Sequence, residues 1–170
     1  MLSSMAMAAP HEDLIKRDRL TIVVTDSGMG GLSVLADMAA RAEKTRAYRE
    51  LDLVFYNALF RERAGYNSLA TRDEKVRIFN LALEDMAARY QPDAIVVACN
   101  TLSVLLPDCA VAQRGNPPVF GIVEPGVELI VEALERSPEA KAVLFATQTT
   151  VDEESHRRGL LAAGIAPERI

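Results

Sequence analysis

The sequence predicts an α/β protein with three layers, helices covering both faces of a parallel sheet. Two observations carry this. Five short apolar runs, Leu20–Thr25, Leu53–Tyr56, Ala94–Ala98, Val119–Val123 and Ala142–Ala146, lack strict alternation. Runs of that kind suit strands buried on both sides. The segments between them carry helical periodicity, so the order reads strand, helix, strand throughout, as a parallel sheet with crossover helices requires.

The elements follow in order. Residues 1–18 read as a loose tail, whose first ten residues, Met1–Pro10, are apolar and small and lack the basic leading region of an export signal. The first strand is followed by a helix over Leu32–Ala47, with Leu32, Leu35, Met38 and Ala39 on one face. The second is followed by a helix over Asp73–Tyr90, with Val76, Phe79, Leu83 and Met86 facing inward. Val127–Leu134 and Asp152–Ala163 read as two further helices, and Gly164 sits where the latter should stop. The stretch Gln113–Pro118 holds Gly115, Asn116, Pro117 and Pro118 and reads as a boundary. It divides a first α/β domain, 19–115, from residues 116–170, which read as an incomplete part of a second.

Composition narrows the function classes. Of 170 residues, 49% are hydrophobic, enough for one good core or one domain and part of another. Lys and Arg total 19 against 24 Asp and Glu, with the basic residues scattered among acidic ones, which argues against nucleic-acid binding. No stretch approaches the roughly 20 apolar residues that span a bilayer. The two cysteines, Cys99 and Cys109, form neither a disulfide framework nor a C-x-x-C pair. A reducing, cytoplasmic setting is the expectation.

In open parallel sheets, ligands gather beyond the carboxyl ends of the strands. After the first run comes TDSGMGGLSV, Thr25–Val34. Asp26 and Ser27 fall at the strand end, and the following glycines let backbone approach a ligand. The helix start beyond them suits a carboxylate or phosphate. An ordinary glycine turn, with Asp26 or Ser27 capping the helix, fits the same residues. A dinucleotide loop does not: the third glycine of its fingerprint is Ser33, and the acidic residue expected at the second strand end is Asn57.

After the third run comes Cys99-Asn100-Thr101. A thiol before a helix start is expected to have a lowered pKa, and Asn100 and Thr101 offer hydrogen-bond donors to an anion or cap the helix. A lone cysteine is more commonly a small core hydrophobe, but Cys99 shares the strand-end position of Asp26 and Ser27. Cys109 takes the core reading, and His11 and His156 read as solvated. Glu124-Pro125 reads as a helix start; Thr147 and Thr150 read as caps or ligand contacts.

DSGMGGLSV, VVACNTLS, FGIVEPGVE and ATQTT stand in the order found in glutamate racemases, which this chain resembles from about Leu20 to Ala163. The resemblance implies two similar α/β domains facing across a cleft. Two cysteines, one per domain, flank the α-carbon of the substrate; one removes its proton and the other returns a proton on the opposite face. It implies neither pyridoxal phosphate nor metal, a role in cell-wall peptidoglycan synthesis, a small amino acid as partner, no nucleic acid, no membrane, and a homodimer as the family often forms. By motif, Cys99 resembles the first acid/base cysteine and Asp26 its assistant, with Ser27, Asn100 and Thr101 as substrate contacts. The family's proline-tyrosine-glycine is matched only by Gly65-Tyr66-Asn67, so Tyr66 and Asn67 join the substrate-binding candidates and glutamate preference over aspartate is open. The family's second cysteine would follow residue 170, so these residues are expected to carry half of the machinery. A ligand-binding fragment without catalysis, an aspartate racemase and a single-cysteine decarboxylase remain alternatives.

Overall fold

The computed structural model describes Leu14, residues 16–59 and residues 65–170. His11 and most of the expected tail lie outside them, but Arg17 already pairs with Asp93, and the Asp18 carbonyl accepts from the N–H groups of Arg49 and Glu50.

Four parallel strands form one sheet in the order β2-β1-β3-β4: β1 is Arg19–Asp26, β2 Glu50–Asn57, β3 Ala94–Val97 and β4 Val119–Phe120. The chain adds β2 on one side of β1 and β3 on the other. The topological switch point, where such sheets open a crevice, therefore lies between β1 and β3.

Helix α1 (Gly31–Thr45) returns the chain from β1, and α2 (Arg72–Tyr90) returns it from β2. Thr71 caps α2 by accepting the Glu74 N–H at 3.2 Å, and the stripe Phe79, Leu83 and Met86 is buried as its spacing predicts. The inward face of α1 is rotated from the expected one: Val34, Leu35 and Met38 are half-buried, whereas Leu32 and Ala39 are exposed. The cause is Gly31, whose bare Cα lies against Asp26, Phe55 and Ala98 and sets the helix phase. Two short helices, α3 (Asn100–Ser103) and α4 (Ala110–Arg114), lead through Gly115, at φ +67°, and a cis Asn116–Pro117 peptide into β4. The first sheet thus continues beyond Gly115.

Helix α5 (Val123–Arg136) begins at the Glu124-Pro125 start read from the sequence. The helix expected over Asp152–Ala163 is two, α6 (Gln148–Asp152) and α7 (Ser155–Ala162), broken where Glu154 takes a left-handed φ of 48°. Gly164, at φ +85°, ends α7 as expected.

The main core joins Val23, Phe79, Leu83, Ile95, Leu102 and their neighbours around the sheet. A second, small core of Leu134, Leu160 and Ile165 ties α5 to α7 and the end of the chain.

Two expectations are corrected. The run Ala142–Ala146 has no regular secondary structure and joins no sheet: only the Ala142 N–H is bonded among the described residues, to the Arg169 carbonyl, while Val143 is 72% and Phe145 92% exposed. Its composition suits a strand, but no described strand lies beside it. The fourth run forms only two residues of strand, because Val123 is drawn into α5.

Candidate functional site

The register of β1 and β3 builds the site. Thr25 pairs with Val97, and the Ala98 N–H donates to the Thr25 carbonyl at 2.8 Å. Two residues further along each chain segment than the Thr25–Val97 pair, Ser27 meets Cys99, with Oγ 3.3 Å from Sγ. Asp26 is nearly buried, and its Oδ2 accepts the Gly31 N–H at 2.8 Å. That bond captures a free donor at the start of α1, so Asp26 serves the turn as well as the site.

Cys99 is 8% exposed. The expectation of a lowered pKa is corrected. Burial pushes the thiol up; the Ser27 hydroxyl and the backbone N–H groups of Ser27 and Leu102 pull the other way without prevailing, and the neighbouring Asp26 side chain adds to the upward shift. The helix behind it is only four residues long and supplies little dipole. Cys109 is a core thiol, as expected. Its Sγ lies against the Leu105 carbonyl at 3.4 Å, and burial first, then Asp108, push it up to about 12.

Thr101 extends the site towards the C-terminal segment. Its Oγ1 is 2.8 Å from Thr147 Oγ1, which is 3.1 Å from Thr150 Oγ1. Thr147 therefore bonds these hydroxyls and makes no side-chain cap to α6. Asn100 is exposed at the rim. Tyr66 and Asn67 stand differently. The Tyr66 hydroxyl donates to the Ala58 carbonyl at 3.1 Å and its ring meets Phe79 edge-on, which makes it a core group. Asn67 Oδ1 accepts both the Thr149 hydroxyl, at 2.6 Å, and the Thr149 N–H, at 3.2 Å.

Sequence reasoning missed Thr149 and Lys75, whose Nζ donates to Thr149 Oγ1 at 2.9 Å. The available signal was a lysine in the inward stripe of α2. His156 is corrected from solvated to buried: it is 4% exposed, with Nδ1 lacking a hydrogen-bond partner. It lies on the face of α7 that turns towards α5, beside Gly126, rather than on the outer face.

Among the described residues no three His, Cys, Asp or Glu side chains gather as metal ligands, and no helix is long and apolar enough to cross a membrane. A cavity of about 800 Å³ lies between α5, α7 and the 142–144 segment. It contains none of Asp26, Ser27, Cys99 or Thr101 and is separate from this site.

Fold and site define an α/β protein with a thiol, a carboxylate and hydroxyls gathered at the switch point of a parallel sheet. The chain is similar to glutamate racemases. It is 31% identical over 147 residues to glutamate racemase of Campylobacter jejuni subsp. jejuni, covering 85% of this chain and 53% of that protein. To glutamate racemase of Aquifex pyrophilus it is 34% identical over 145 residues, 85% of this chain and 52% of that one. The crystal structure of glutamate racemase from Campylobacter jejuni subsp. jejuni superposes with a TM-score of 0.66 at 30% identity, covering 87% of this chain and 54% of the other. The chain thus spans about half the length of the curated relatives it matches. No family model matches it.

Proposed function

We propose that this chain supplies one face of an amino-acid racemase site for the interconversion of L- and D-glutamate, with Cys99 as the proton-transfer group. The observation that carries the reading is the contact of Ser27 Oγ with Cys99 Sγ across the switch point, with the buried Asp26 at the same strand end.

The chemistry follows from the residues. An amino-acid α-proton is far less acidic than a thiol, so a thiolate needs help at the carboxylate where charge develops. Asn100 and Thr101, at the start of α3, are the donors placed for that carboxylate. Burial disfavours the thiolate; a substrate ammonium brought beside Cys99 would favour it. Asp26 then takes or relays the proton, and Ser27 holds the sulfur in place. Tyr66 acts through its position in the core, and Asn67 through Thr149. The same reading carries a cytoplasmic location and the supply of D-glutamate to peptidoglycan.

Inversion needs an acid/base group on the opposite face of the α-carbon. Among the described residues neither Cys109, packed against Leu105, nor His156, buried beside Gly126, stands opposite Cys99. That favours a half-site reading, in which these residues bind the amino acid and a second polypeptide region completes the pair.

The test follows glutamate by circular dichroism, with deuterium incorporation at the α-carbon followed by NMR. The purified 170-residue chain is expected not to racemise at an appreciable rate. Joined to the remaining half of a relative it should racemise, and Cys99→Ala should then abolish the activity. Racemisation that survives Cys99→Ala would refute the assignment.

A further inference from the structure

Helix α2 follows β2, so its first turn lies at the carboxyl edge of the sheet, the edge that carries Ser27 and Cys99. Its inward stripe is Phe79, Leu83 and Met86. Lys75 stands one helical repeat before Phe79 on that stripe, where spacing would place a leucine.

A lysine there is costly. It lies at the positive end of the helix dipole and on the apolar side of the helix. Arg72, one turn earlier, is matched by two carboxylates: Nε meets Glu153 at 2.7 Å and Nη2 meets Asp108 at 2.6 Å. Lys75 has no carboxylate partner among the described residues. Its one recorded contact is the neutral Thr149 hydroxyl at 2.9 Å. An ammonium has three donors, so two remain for a ligand.

Lys75 is linked to the thiol site through the short segment 147–150. Thr149 is followed by Thr150, Thr150 bonds Thr147, and Thr147 bonds Thr101, two residues from Cys99. Asn67 fills the other side of Thr149 and so presents it to Lys75.

We propose that Lys75 is a specificity-determining residue that recognises the side-chain carboxylate of an acidic amino acid whose α-carbon sits at Cys99. This rests on the reading that an amino acid binds at Ser27–Thr101. Lys75 takes no part in proton transfer. It distinguishes an acidic side chain from the neutral amide of the same shape by offering a charged donor to the former.

The test is an NMR titration of the full chain with D- and L-glutamate and, in parallel, with glutamine, following the backbone signals of Ser27, Cys99 and Thr101. The native chain should bind glutamate roughly tenfold more tightly than glutamine, the factor expected of one charge-assisted hydrogen bond. In Lys75→Met, which lays an apolar side chain on an apolar stripe, the ratio should fall to about one; Lys75→Arg should retain the preference. A merely structural role through Thr149 would weaken both ligands alike and leave the ratio intact, and that result overturns the proposal. Glutamate and glutamine binding equally to the native chain overturns it too, while leaving the amino-acid site standing. No perturbation at Ser27, Cys99 or Thr101 by either ligand refutes the site and this inference together.

Discussion

The Ser27 hydroxyl lies 3.3 Å from the Cys99 sulfur, and it is one of the few groups that favour the thiolate in a site where burial opposes it. Replacing it by Ala should push the Cys99 pKa further up, because a hydrogen bond to the charged form is lost. Iodoacetamide rate against pH reports this: the profile of Ser27→Ala should lie at higher pH than that of the native chain. In the native chain Cys99 should alkylate well before Cys109, which burial pushes up to about 12 and which is fully enclosed in the main core. Equal rates at the two sulfurs would contradict the geometry.

Gly31→Ala should destabilise the fold by about 1–3 kcal/mol, the usual cost of overpacking. A Cβ there would stand 2.9 Å from Asp26 Cβ and 3.2 Å from both Ala98 Cβ and a Phe55 ring carbon. All three belong to packed sheet or strand-end positions that cannot swing aside. The urea midpoint is the readout, and an unchanged midpoint would mean that α1 can shift freely against β1.

Tyr66→Phe keeps the ring against Phe79 and removes the hydroxyl that donates to the Ala58 carbonyl. A loss of about 1 kcal/mol is expected, measured by chemical denaturation. Phe79→Ala, with nothing exposed at that position, should cost about 3–5 kcal/mol.

His156 makes stability depend on pH. Burial lowers its pKa below 6.5, with Glu124 opposing. The unfolded chain therefore takes up the proton first as pH falls. The stabilising contribution is complete above about pH 6.5, declines as the pH drops below it, and levels off beneath the folded pKa. Urea midpoints at pH 7.5 and 5.5 should differ in the native chain and differ less in His156→Leu. An identical pH dependence in the variant would mean that His156 is solvated after all.

The sequence was most legible where one physical rule acts alone. The runs around Val23 and Ile95 are buried in the middle of the sheet and the run around Val54 is half-buried at its edge; all three became strands, and the stripe of α2 became a core face. The thiol beside Ser27 was legible because strand ends in a parallel sheet converge. Elsewhere a second influence prevailed. The phase of α1 depends on the close approach of Gly31 to Asp26, which composition does not reveal. The Cys99 pKa depends on burial against four neighbours, two of them backbone N–H groups. His156 looked exposed because it sits among Glu153, Glu154, Arg157 and Arg158, yet the break at Glu154 turns it inward. Ala142–Ala146 has the residues of a strand, but a strand is a relation to a neighbour, and no single segment encodes that.

That segment has a further consequence for how the protein behaves in bulk. Val143, Leu144 and Phe145 form an uncharged ribbon with unsatisfied backbone donors and acceptors, the kind of edge that natural proteins blunt with charge or cover. Whatever lies down on this ribbon stabilises the fold by mass action, so apparent melting temperature should depend on what else is in the tube and how concentrated it is. Sedimentation at rising protein concentration will register this as a drift in size, and a single charged side chain at Phe145, as in Phe145→Lys, should suppress that drift while leaving the β1–β3 crevice unaltered.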